Sequence, residues 1–179
     1  MSRARGGDQD AYVVLVARYR ALAHRTAYLL GAGANAEDVV QEAFVKGFRA
    51  LRGFRTGSPF RPWLLRIVAN ETSNLHRATR RRSVLELRVA GLVEPARHRD
   101  PEQEAISGAS RTALLDAVRA LPEKDAQVIT CRYFLDLSEA ETAEVLGWPR
   151  GTVKSRLSRA LTKLRPAMTG SLGEEASHG

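Results

Sequence analysis

The chain has 179 residues, 44% hydrophobic and 27% charged, so it can bury packed cores and is too apolar for wholesale disorder. No apolar run reaches the roughly 18 residues that a membrane span needs. Met1 to Asp10 lacks a signal peptide's apolar core, which predicts a cytoplasmic protein without membrane insertion, and the single cysteine, Cys131, excludes an internal disulfide framework. The net charge of +8 is divided by segment: +9 over residues 1–82, −2 over 83–110, +3 over 111–167 and −2 over 168–179. Two basic blocks around an acidic stretch suggest two modules that meet a polyanion, joined by a linker that does not. Most of the basic residues are arginine, which suits bidentate phosphate and base contacts, although a GC-rich genome produces the same excess.

Helical periodicity recurs throughout, and hardly any segment alternates like a strand. The expected fold is all-α, with two small helical domains at 10–82 and 111–166, a linker at 83–110 and a tail at 167–179. The first helix runs from about Asp10 to Leu30, with Tyr12, Leu15, Tyr19, Leu22, Thr26 and Leu29 on one face and Gly31 ending it. Asn35 is a good N-cap for the second, with Asp38 as its capping-box partner. That helix runs to about Leu51, with Val40, Phe44, Gly47, Phe48 and Leu51 inward. A loop from Gly53 to Pro59 leads into a third helix, capped by Ser58, with Phe60, Leu64, Val68 and Leu75 as its core stripe and its end near Arg82. The linker holds Pro95 and Pro101 and one helical turn around Val84 to Leu92. In the second domain a short helix stops at Pro122, another spans Glu123 to Phe134, and a third is capped by Ser138 and ends at Gly147. The last runs from about Thr152 to Arg165, with Val153, Leu157, Ala160, Leu161 and Leu164 inward and Pro166 stopping it.

Three faces carry chemistry. A helix-turn-helix needs a small residue where its helices touch, a glycine in the turn and an aliphatic anchor in the second helix. Ala143, Gly147 and Val153 meet that spacing. The last helix then presents Lys154, Ser155, Arg156, Ser158 and Arg159 outward, with Arg150 and Thr152 at its start, and such a helix reads base edges in the major groove. Of these, Arg156 or Arg159 is the expected base reader, because arginine can grip guanine with two hydrogen bonds. Thr142 stands where an aliphatic side chain would pack better.

On the second helix, Asp38, Gln41, Glu42 and Arg49 surround Val45 on the side away from the core. An apolar residue inside an acidic and amide patch suits docking to a basic protein, but singly exposed valines are common, and by residue chemistry alone a solvated helix face is the commoner reading. On the third helix, Trp63, Arg66, Asn70, Asn74 and Arg77 share a flank about 80° wide, extended by Arg80, Arg81 and Arg82. Aromatic, amide and guanidinium groups together suit single-stranded or melted DNA, and equally half-buried packing beside a solvated run. The loop with Phe54, Arg55 and Ser58 lies at the start of that flank and could hold an extruded base, with Phe60 beside it. No nucleophile motif, phosphate loop or metal-ligand spacing occurs, so neither an enzyme nor a cofactor is expected.

Three segments together resemble a known family: Glu37 to Phe44, Phe60 to Leu64, and Gly151 to Leu157. They resemble bacterial RNA polymerase sigma factors of the extracytoplasmic-function (ECF) group, with 10–82 as family region 2 and 111–166 as region 4. The resemblance implies a dissociable initiation subunit. It implies that Asp38, Gln41, Glu42 and Val45 contact the β′ clamp helices of core polymerase. Phe54 to Phe60 would select a base, and Asn70, Asn74 and Arg77 would lie on the surface for the melted −10 element. Region 4 would bind the β flap and read the −35 element as duplex, and an anti-sigma factor is an expected partner. Pro62 stands where the family often has a polar residue. The rival classes are a helix-turn-helix regulator that binds DNA without polymerase and an adaptor that binds polymerase without directing initiation.

Overall fold

The computed structural model describes residues 2–55, 57–90 and 109–175, with side chains at 3–55, 57–82 and 114–165. Every regular element among them is helical: α1 Ser2–Arg5, α2 Gln9–Ala27, α3 Ala36–Ala50, α4 Phe60–Ala90, α5 Ala109–Ala120, α6 Glu123–Ile129, α7 Glu139–Leu146 and α8 Arg150–Glu175. The chain divides into two compact units, Met1–Pro101 and Glu102–Gly179.

In the first unit α2, α3 and α4 pack mutually around Ala23, Ala27, Val40, Ala43, Phe44, Leu64 and Val68. Small residues at the centre let the helices approach closely. Gly47 shows the requirement directly, because a Cβ there would stand 3.1 Å from the Tyr12 hydroxyl. Tyr12 is buried, donates to the Phe44 carbonyl at 2.6 Å, and has its pKa pushed up to about 12 by burial, so it stays a donor at every physiological pH. The short α1 was not expected. It exists because Asp8 serves two elements: its carboxylate caps α2 through the Ala11 N–H at 3.0 Å and pairs with Arg3 at 2.8 Å, and Ala4 is drawn into the core.

Where α2 ends, a π-turn at Tyr28–Ala32 and a 3-10 turn at Gly33–Asn35 lead into α3. Gly31 adopts φ +100° there, and a Cβ would meet the His76 ring at 3.0 Å. Asn35 occupies the N-cap position of α3 without making a cap bond; its backbone, at φ −87° and ψ 8°, is not extended as a capping side chain requires. Ser138 shows the contrast. With φ −61° and ψ 164° it forms a full capping box with Glu141.

Two expected helix ends are passed. Helix α4 continues to Ala90, absorbing the first residues of the expected linker, and α8 runs through Pro166 to Glu175. Arg80 to Ser83 contain nothing that breaks a helix. Proline forfeits its own N–H bond and disfavours helix at the preceding residue, and α8 continues despite that cost. Residues 91–108, most of the expected linker, and 176–179, the end of the expected tail, lie outside the described residues.

In the second unit, α5, α6 and α8 enclose Val118, Val128, Ile129, Val153, Ala160 and Leu164, with Ala143 and Leu146 of α7 and Trp148 of the turn after it closing one end. Gly147 takes the left-handed conformation, φ 68° and ψ 31°, and Trp148 N–H reaches back to the Ala143 carbonyl at 3.0 Å. That sharp stop turns the chain into α8, whose first turn starts on Pro149. The expected Ala–Gly–Val spacing is therefore realised as a helix-turn-helix. Leu161, expected inward, is 38% exposed, since the stripe through Val153, Ala160 and Leu164 leaves it on the flank.

Candidate nucleic-acid and partner-binding surfaces

Helix α3 divides its three acidic residues by use. Glu37 is spent within the fold, taking Arg20 of α2 at 2.7 Å, and that guanidinium holds its carboxyl below the ordinary range. Asp38, Gln41 and Glu42 stay exposed on the next face, with Val45 among them at 44% exposure. Phe48, expected inward, is 37% exposed and lies against Tyr12 with ring centroids 4.9 Å apart. Phe48 lies at the edge of the core stripe, and Tyr12 takes the buried side of their contact. Tyr12, Phe44, Val45, Phe48 and Arg49 thereby line an open, mostly apolar groove of about 400 Å³ beside the acidic residues. The groove was not foreseen, because it requires the aromatic contact between α2 and α3.

Helix α4 presents Arg66, Asn70, Asn74, Arg77, Arg80 and Arg81 to solvent. They form one flank, as the 100° spacing predicts. Its order comes from a polar chain that the sequence did not reveal. Lys46 of α3 bridges Glu42 at 3.4 Å and Glu71 at 2.6 Å, Asn74 donates to Glu71 at 3.3 Å, and Arg77 donates to Asn74 at 2.6 Å.

The aromatic residues behave differently from expectation. Phe54 is 5% exposed and Phe60 7%, both in the core, and Trp63 is half-buried against them at 5.0 and 5.3 Å. They form a cluster that Tyr19 joins at 5.1 Å to Phe60. Three apolar rings close together gain more from burying each other than from facing water. Phe54 and Phe60 are thus corrected from candidate base contacts to packing residues beneath the loop. Arg55 is exposed and Ser58 half-exposed above them. Thr56 lies outside the described residues.

In the second unit Arg150, Lys154, Ser155, Ser158 and Arg159 are exposed along one side of α8, and Thr152 is half-exposed. Arg156 is not with them. Its guanidinium donates to Asp125 Oδ1 of α6 at 3.2 Å and lies 5.6 Å from the centre of the Trp148 ring. The expectation that it points outward with Lys154 and Arg159 is corrected: three residues after the buried Val153, it lies only about 60° from that core position, on the flank of the stripe. Lys163, seven residues later, shares the flank and takes Asp125 Oδ2 at 2.6 Å. Asp125 is buried at 3%. Burial alone would raise its carboxyl, but Lys163 and Arg156 outweigh that and hold it below its ordinary value. Thr142 is fully buried and its hydroxyl has no partner, which fits the expectation of an aliphatic site. Cys131 is buried and its thiol is pushed up to about 12, so it is a packing residue and not a nucleophile. Among the described residues no cluster has the composition of a metal site, and no helix is long and apolar enough to cross a membrane.

Comparison with known proteins agrees with this geometry. Residues 15–82 match the family model for Sigma-70 region 2, and residues 111–164 match that for Sigma-70, region 4. The ECF RNA polymerase sigma-E factor of Haemophilus influenzae is 34% identical over 94% of this chain and 95% of its own length. The Escherichia coli K12 sigma-E factor is 36% identical over 89% of this chain and 87% of its own. Among solved structures, CnrH in complex with the cytosolic domain of CnrY is similar at a TM-score of 0.67 and 28% identity, over 94% of each chain. The sigma factor RpoE of Bartonella quintana, crystallised with the anti-sigma factor NepR, shares the fold at a TM-score of 0.70 and 22% identity, over 89% of this chain and 97% of that one. Two helical units in this order, a helix-turn-helix in the second and relatives at this identity over nearly the whole length make the chain a member of the ECF sigma factors of RNA polymerase.

Proposed function

We propose that the chain binds core RNA polymerase and directs promoter-specific initiation, contributing recognition while the chemistry stays with the polymerase. The observation that carries this reading is the division of labour over the surfaces. An exposed acidic patch with an apolar groove lies on α3. A basic and amide flank lies on α4, and a second basic face lies on the helix-turn-helix. In this reading Asp38, Gln41, Glu42 and Val45 meet the β′ clamp helices. Arg66, Asn70, Asn74, Arg77, Arg80 and Arg81, with Arg55, Ser58 and the rim of Trp63, face the melted −10 strand. Arg150, Thr152, Lys154, Ser155, Ser158 and Arg159 face the −35 duplex. The second unit also meets the β flap, and the site of action is the cytoplasm.

Solved relatives are named in complexes with CnrY and NepR, which supports a protein inhibitor of this chain as well. Family membership disfavours a regulator that binds DNA without polymerase. Run-off transcription with core polymerase on genomic fragments tests the reading. Defined start sites should appear only when both core enzyme and this chain are present. Specific binding by the free chain to palindromic DNA, with no transcription, would replace it with the regulator.

A further inference from the structure

Asp125 is the buried carboxylate of the second unit, and it touches α8 twice. Its two oxygens take Arg156 and Lys163, almost two turns apart on one flank of the helix. Two anchors at that separation restrict both the roll and the tilt of α8 against α6, which a single contact or a greasy stripe alone does less well. Trp148, in the turn of the helix-turn-helix, stands beside the Arg156 guanidinium and ties the same point to the turn. Arg156 is consequently occupied on the protein side, and the exposed Lys154, Ser155, Ser158 and Arg159 are left as the groove-facing set.

Resting on the reading of α8 as the −35 recognition helix, we infer that Asp125, through Arg156 and Lys163, is a positioning residue for promoter recognition, and that Arg156 orients the helix and does not read a base. Charge alone predicts the opposite of what positioning predicts. Removing a negative group beside a DNA-binding helix should tighten binding to every duplex. Losing the anchor should instead weaken binding to the preferred sequence and shrink the preference at every position that the helix reads.

The test uses holoenzyme assembled from the full chain and core polymerase. Binding is measured to an upstream promoter duplex and to its single-base variants, at several salt concentrations. Asp125→Asn should lose roughly tenfold on the preferred sequence, the scale of one mismatched base pair, with little change on poor sequences. Lys163→Gln, at a half-exposed side chain that tolerates the change, should compress the preference in the same way without lowering the salt slope. In the free full chain carrying Trp63→Phe, Asp125→Asn should also shift the Trp148 emission, because the guanidinium beside the ring is released. Arg159→Ala and Lys154→Ala are the comparison. An unchanged preference profile for Asp125→Asn and Lys163→Gln, or uniformly tighter binding by Asp125→Asn, beside clear losses in Arg159→Ala or Lys154→Ala, would overturn the positioning role alone. No effect in any of the four would remove α8 as the reader, and the inference with it.

Discussion

Arg156 and Arg159 show how three residues of helix separate two environments. Arg159 stands exposed and donates to the carbonyl one turn back, at 3.2 Å. Arg156 is held by a buried carboxylate. Arg159→Ala in holoenzyme should relax preference at one base pair of the −35 element, at a cost of about 1–3 kcal/mol, read from binding to single-base variants. Asp125 adds a pH signature. Its carboxyl titrates below the ordinary 3.8, so its contribution to stability is complete above that value and is lost as pH falls through the lower folded one. Acid unfolding followed by circular dichroism should therefore show a shallower loss of stability below about pH 4 in Asp125→Asn than in the parent chain. Thr142 offers a gain. Its buried hydroxyl lacks a partner, and Thr142→Val keeps the shape while removing the unsatisfied group, so thermal or urea unfolding should show stabilisation of about 1 kcal/mol.

Among the elements, α3 packs with one face and is proposed to dock with the other. Its core face holds Val40, Ala43, Phe44 and Gly47, and its outer face holds Asp38, Gln41, Glu42 and Val45. Asp38→Lys with Glu42→Lys should abolish co-purification with core polymerase, since like charges at an interface cost several kcal/mol. Helix content and unfolding midpoint should stay near those of the parent chain, because exposed substitutions usually change stability by less than about 0.5 kcal/mol. Gly31 behaves in the opposite way. Its positive φ strains any L side chain and a Cβ would crowd the His76 ring, so Gly31→Ala should cost about 1–2 kcal/mol in a denaturant titration. The helices themselves were legible because the apolar period is strong in α2, α3 and α8. Their ends were less so: α4 and α8 outrun the expected stops, and α1 depends on Asp8 capping one helix while pairing with Arg3 before it.

For the whole molecule, charge is distributed to match the proposed contacts, with the larger excess on the unit proposed to meet melted DNA. Arg66 and Arg81 are exposed on that unit. Replacing both with Ala should weaken all promoters alike and lower the salt slope of holoenzyme binding by about 1.4, the value for two phosphates of a single strand. A loss confined to particular promoter sequences would mean that one of them reads a base.

The helical class, the two-unit order, the helix-turn-helix and the exposed acidic and basic faces are legible in the sequence. Each of these is written in local terms: a 3.6-residue period, a glycine at a helix stop, a charge on the side away from the stripe. Which of the marked residues stand exposed is set by the packing of the helices. Phe54 and Phe60 turn inward because Tyr19 and Trp63 meet them there, and Phe48 lies exposed against the buried Tyr12. Arg156 is withdrawn by a carboxylate 31 residues earlier in the chain. A side chain's availability depends on partners brought near by the packing of distant segments, and no periodicity within one helix encodes that.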